Sequence, residues 1–174
     1  SEASVRPNGW VYDCLKGDTS RAAGQFPIAA DGLSVVVKKG GAAETCVNSM
    51  GGLTPDQVRW IYSDYTAAQL AAAGWDTNSL ANSDNDDSTH LWSELDASCP
   101  ASEIKISGAD SESGTYEFFM DAMLSDAGNG ETFDLNRPDG YTNSAEDEVV
   151  VNYLESNADS IGYFGYAYYK ANQD

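Results

Sequence analysis

Apolar residues along the chain follow two spacings, one typical of strands and the other of helices. Residues 26–30 and 33–37 are short apolar runs rich in β-branched residues and predict two strands. Thr54 and Pro55 provide an N-cap and a proline at the first helical position, and the spacing after them predicts a short helix with one buried side. A second helix is predicted over residues 66–73.

The second half of the chain continues this alternation. Residues 103–107 alternate polar and apolar side chains, as in a strand that stops at Gly108, and residues 116–124 carry apolar side chains at helical intervals. A helix is predicted over residues 145–155 and an aromatic strand over residues 160–169. The alternation predicts one α/β domain, with helices packed on a central sheet.

The charge balance restricts the partners of this domain. Nine Lys plus Arg face 28 Asp plus Glu, a formal net charge of -19 that repels nucleic acids and anionic membrane surfaces. No apolar run approaches the roughly 20 residues needed to span a bilayer, so membrane insertion is not expected. A site for an anion would therefore depend on local dipoles and hydrogen bonds.

Three cysteines leave two interpretations open. In an oxidising compartment, one disulfide and one leftover thiol are expected, and Cys46 with Cys99 is the favoured pair because each flanks a turn-like segment. Cys14 would then pair with chain outside this sequence. In a reducing compartment, all three cysteines would be buried thiols.

The sequence contains no motif for catalysis, a metal or a cofactor. It has no nucleophile elbow, phosphate loop or zinc-protease motif, and His90 is its only histidine. His90 is interpreted as a surface or packing residue. Neighbouring carboxylates such as Glu146 and Asp147 point in different directions on a helix and are interpreted as solvated charges. We therefore expect a binding protein that is not an enzyme, with no catalytic residue, metal or cofactor.

The candidate binding site is the tripeptide Ser113, Gly114 and Thr115, at a predicted turn from strand to helix. Hydroxyl groups and free backbone N–H groups at the start of a helix form an anion site, to which the helix dipole adds partial positive charge. A simpler interpretation is that Ser113 only caps the helix, which is predicted to begin near Thr115 or Tyr116.

Five segments together resemble the substrate-binding proteins of phosphate ABC transporters, the PstS-like periplasmic binding proteins, particularly their longer cyanobacterial and algal forms. They cover residues 26–37, 52–63, 91–95, 113–115 and 161–169. They occur in the family's order over about 145 residues. The resemblance implies the second lobe of a two-lobed Venus-flytrap protein at residues 26–170, after an irregular segment at 1–25 and before a tail at 171–174 that leads to further chain.

This resemblance implies a function as well as a fold. It implies that Ser113, Gly114 and Thr115 donate hydrogen bonds to inorganic phosphate or a similar oxyanion, in an extracytoplasmic compartment such as a periplasm, cell surface or organelle lumen. Ala109 stands where the family often has an arginine, and Asp110 is also unfavourable to an anion. The alternative is a non-catalytic structural or interaction subunit with the same lobe, held by protein partners in a larger extracytoplasmic or thylakoid-lumen-type assembly.

Overall fold

The computed structural model describes residues 10–13, 22–25, 32–63, 65–80, 90–124 and 141–172. The chain divides into two compact units, Ser1–Asp31 and Gly32–Asp174. In the first unit, strands β1 (Trp10–Asp13) and β2 (Ala22–Gln25) form an antiparallel pair. These strands correct the expectation that residues 1–25 are irregular, whereas the domain boundaries at residues 25 and 170 stay predictions.

The second unit alternates strands and helices around one sheet. Its elements are β3 (Leu33–Val37), α1 (Ala42–Ser49), α2 (Pro55–Tyr62), α3 (Ala67–Ala72), α4 (Trp92–Leu95), β4 (Lys105–Gly108), α5 (Gly114–Leu124), β5 (Tyr141–Asn143), α6 (Asp147–Ser156), β6 (Ser160–Gly165) and α7 (Tyr166–Ala171). The sheet order is β3-β6-β4-β5. β4 runs parallel to both of its neighbours, and β3 is antiparallel to β6.

Helices cover both faces of this sheet, as the side chains of β6 show. Successive side chains of a strand point to opposite faces, and those of β6 pack against different helices. Ile161 and Tyr163 belong to the main core, which α2 and α5 also enter, whereas Phe164 packs with Val150 and Leu154 of α6. A β-carbon on Gly162 would lie 3.0 Å from the Leu154 Cδ1 atom, so a glycine here allows α6 to approach the sheet closely. The predicted α/β class with a central mixed sheet flanked by helices is confirmed.

Local signals explain where two of the helices begin. Thr54 and Thr66 cap α2 and α3, and each hydroxyl accepts a hydrogen bond from the N–H of the glutamine three residues later. Each glutamine side chain in turn accepts a bond from the N–H of its threonine, which completes a capping box. Both helices lie where the sequence predicted them.

A disulfide joins Cys46 of α1 to Cys99, which lies between α4 and β4. The favoured cysteine pairing is thus confirmed, and both cysteines are buried. Cys14 lies outside the described residues, as does the predicted strand over residues 26–30. No helix in the described part of the chain is long and apolar enough to cross a membrane.

Three segments differ from the sequence prediction. Helix α1 and strand β5 were not predicted. The aromatic strand predicted over residues 160–169 ends at Gly165, and the chain continues as α7. Gly165 pairs with Leu33, the first residue of β3, so the ladder between these two strands ends here. Beyond that point, the tyrosines have no strand in this ladder to pair with, so their preference for strands does not decide the structure.

Candidate functional site

The tripeptide Ser113, Gly114 and Thr115 lies beyond the carboxyl end of β4, between the ends of its two parallel neighbours. The Asp110 N–H donates to the Ser144 carbonyl at 3.3 Å, and the Ser144 N–H donates to the Gly108 carbonyl at 3.0 Å. The loops after β4 and β5 are therefore tied together. The chain passes from β4 to β5 on one side and then to β6 on the other, and ligands of open α/β sheets bind at such switch points.

Ser113 is the N-cap of α5. Its Oγ donates to the Asp110 carbonyl at 3.0 Å and accepts a hydrogen bond from the Tyr116 N–H at 3.1 Å. Helix α5 begins at Gly114, slightly earlier than the sequence predicted. The hydroxyl is thus used as a donor and as an acceptor within the turn, and Ser113 caps the helix as the simpler interpretation predicted.

Gly114 and Thr115 carry the first two N–H groups of helix α5. Neither backbone N–H donates to any residue in the part of the chain that the structure describes. Gly114 is exposed, and a β-carbon placed on it would have no atom within 4 Å. Because α5 is eleven residues long, its dipole places partial positive charge at these two N–H groups. Among the described residues, the start of α5 therefore offers two backbone donors that no acceptor of the chain uses.

Acidic side chains surround these donors. The Asp110 carboxylate accepts a hydrogen bond from the Glu112 N–H at 3.1 Å, and Glu112 is exposed. Asp147 also follows the carboxyl end of a strand, β5. Burial, and to a smaller extent the charge of Glu146, raise the pKa of Asp147 above its ordinary value. Lys105 is the first residue of β4 and therefore lies at the other end of that strand. The site thus offers neutral donors in an acidic setting, and the neighbouring Ala109 is buried.

The structure also shows supporting residues that sequence reasoning missed. Tyr163 of β6 is fully buried, and its Oη donates to the Ala109 carbonyl at 3.4 Å. Together with Ser144, it holds the loop that precedes Ser113. These contacts join residues that are far apart in the sequence, so no local pattern could have indicated them.

His90 does not belong to this site. It is buried, its Nε2 lies 3.0 Å from the Ser63 carbonyl oxygen, and its ring centroid lies 3.9 Å from that of Trp60. The interpretation of His90 as a packing residue agrees with these contacts.

No protein-family model matches the chain. It is 26% identical over 150 residues to the phosphate-binding protein PstS of Staphylococcus saprophyticus, a match that covers 86% of this chain and 35% of the relative. It is 28% identical over 149 residues to the protein SphX of Synechococcus elongatus, with 86% of this chain and 34% of the relative covered. This chain therefore spans about a third of the length of these relatives.

A solved structure, described as a possible phosphate binding protein from Planctomyces limnophilus, matches 82% of this chain and 38% of its own chain, with 25% identity and a TM-score of 0.45. Over most of its length, the chain is similar in sequence to the phosphate-binding protein PstS and to SphX.

Proposed function

We propose that this chain is a non-catalytic phosphate- or oxyanion-binding module of the PstS-like kind, formed as one lobe of a periplasmic-binding-protein fold. The observation that carries the proposal is the pair of N–H groups of Gly114 and Thr115 at the start of α5, neither of which donates to a residue in the described part of the chain. Similarity over 86% of the chain to the phosphate-binding protein PstS supports phosphate as the ligand.

Binding through this site alone is expected to be weak. A hydrogen bond to a charged group contributes about 1.5 to 3 kcal/mol. Two such bonds give about 4 kcal/mol before the cost of immobilising the anion is subtracted, so the dissociation constant is expected to be no tighter than about 1 mM. The carboxylates of Asp110 and Glu112 oppose an anion, and this site has no arginine at position 109 to offset them.

The proposal also includes a compartment and a role. The disulfide between Cys46 and Cys99 supports an extracytoplasmic location, because such bonds persist in oxidising compartments. A role in phosphate delivery to an ABC transporter would follow if the chain acts with the rest of a protein of the relatives' length. An interaction module in a larger assembly is the second candidate, favoured by an exposed phenylalanine on α5.

A substitution at Gly114 tests the proposed site directly. Gly114→Asp has space for its side chain and places a carboxylate in the first helical turn, which favours the helix but repels an anion from the two N–H groups. We expect phosphate binding, measured by isothermal titration calorimetry at fixed salt, to weaken at least tenfold.

The matched control for this substitution is Ala122→Asp. It adds the same charge to an exposed position two turns further along α5, and we expect it to change the dissociation constant for phosphate less than twofold. If both variants bind phosphate as the original chain does, the site at Gly114 and Thr115 is wrong. If both weaken binding equally, net charge and not this site governs it.

A further inference from the structure

Helix α5 has one continuous exposed face. The residues exposed along the helix are spaced by three or four positions and fall on one side of it: Gly114, Glu117, Phe118, Asp121 and Ala122. The opposite side enters the core, where Phe119 is buried and stacks on Tyr163 at a centroid distance of 3.9 Å. Phe118 is 61% exposed, the largest value among the exposed large apolar residues of the described chain.

The charges on this face oppose the stability of the helix. Glu117 and Asp121 lie four residues apart on the same side, a spacing at which like charges repel each other. Asp121 also lies in the last turn, where the helix dipole disfavours a negative charge. An exposed phenylalanine lies next to these carboxylates, so the face carries an apolar ring and negative charge together.

We propose that this face of α5 is a docking surface for a cationic segment of a partner polypeptide, with an arginine stacked over the ring of Phe118. Charge complementarity favours this occupant, because a guanidinium attracts both carboxylates and also binds an aromatic face. A neutral apolar partner would cover Phe118 but would desolvate Glu117 without pairing it. An acidic partner would add to the repulsion.

The docked cation would also affect the proposed phosphate site, a consequence that rests on the proposed function. Gly114 and Phe118 lie about one helical turn apart on the same face, a rise of about 6 Å along the axis. An arginine over Phe118 would therefore bring positive charge close to the N–H groups of Gly114 and Thr115. It would supply from a partner the charge that Ala109 does not provide.

A peptide titration without phosphate tests the docking surface by itself. The probe is a hexa-arginine peptide, and its binding to the 174-residue chain is measured by calorimetry at moderate salt. We expect Phe118→Ser and Phe118→Leu each to weaken binding about three- to fivefold, the fold-change that corresponds to an exposed cation–π contact. Both substitutions leave the net charge at -19, so general attraction to the acidic chain is unchanged.

Val149→Ser is the matched control. Val149 is 43% exposed on α6 next to Glu148, so this variant removes an exposed apolar side chain that is not itself aromatic from an acidic setting. We expect it to bind the peptide as the original chain does. If both Phe118 variants also bind normally, there is no docking surface on this face. If only Phe118→Ser weakens binding, the face accepts an apolar partner and the cationic assignment is overturned.

Phosphate enters only in a second titration, with the peptide already bound. Tighter phosphate binding in the presence of the peptide supports the link between the two sites. If the peptide binds and depends on Phe118 but phosphate does not bind, the docking surface stands and the proposed function is overturned. A failure of the docking surface can therefore be distinguished from a failure of the proposed function.

Discussion

Replacement of Gly108 by alanine is expected to lower the free energy of unfolding by about 3 kcal/mol, the range found when extra atoms are forced into a packed core. The new β-carbon would lie 2.1 Å from Cε1 and 2.5 Å from Cζ of Tyr163. The Tyr163 ring has no room to move, because it stacks on Phe119 and meets Tyr62 edge-on at a centroid distance of 5.4 Å. Equilibrium urea unfolding measures the loss.

Gly114→Ala is the control for this substitution. A β-carbon at Gly114 meets no atom within 4 Å, so the same change there is expected to alter the free energy of unfolding by less than about 0.5 kcal/mol. Similar stabilities for the two alanine variants would contradict the close contact between β4 and the Tyr163 ring.

The second large effect is expected from loss of the disulfide. In the double variant Cys46→Ala/Cys99→Ala, the free energy of unfolding is expected to fall by about 4 kcal/mol, because the bond closes a long loop in the unfolded chain. The two cysteines are 53 residues apart in sequence. Urea unfolding under oxidising conditions compares the double variant with the original chain.

Reduction provides the matched control for the cysteine variant. Dithiothreitol should destabilise the original chain by a similar amount and leave the double variant unchanged. A reductant effect of equal size on both proteins would show that the loss does not come from the bond between Cys46 and Cys99.

The sequence was sufficient to predict elements whose signals are local. The capping residue Thr54 and the proline after it mark the start of α2, and hydrophobic alternation marks β4. Helix α1 lacks such a signal, because its N-cap is Gly41, which has no side chain to cap it. Strand β5 depends on β4, whose Ser107 Oγ donates to the Thr142 carbonyl at 2.7 Å. No local pattern predicts such a pairing.

The sequence predicted the capping role of Ser113 but not the surroundings of the N–H groups that follow it. Ser113 is recognisable as a cap from its place before a helical pattern, and the cap is present. Whether the N–H groups of Gly114 and Thr115 face open space depends on what surrounds them in the fold. The support from Ser144 and Tyr163 likewise requires the sheet order, which the sequence alone did not provide.

The measurement that tests the central claim most directly is a phosphate titration followed through the backbone amide signals of the ¹⁵N-labelled chain. We predict saturable downfield shifts of the Gly114 and Thr115 amide protons as these groups donate to the anion, with a matched chloride titration as the ionic-strength control. Unchanged signals at these two residues up to tens of millimolar phosphate, or equal shifts with chloride, would contradict an oxyanion site at the start of α5.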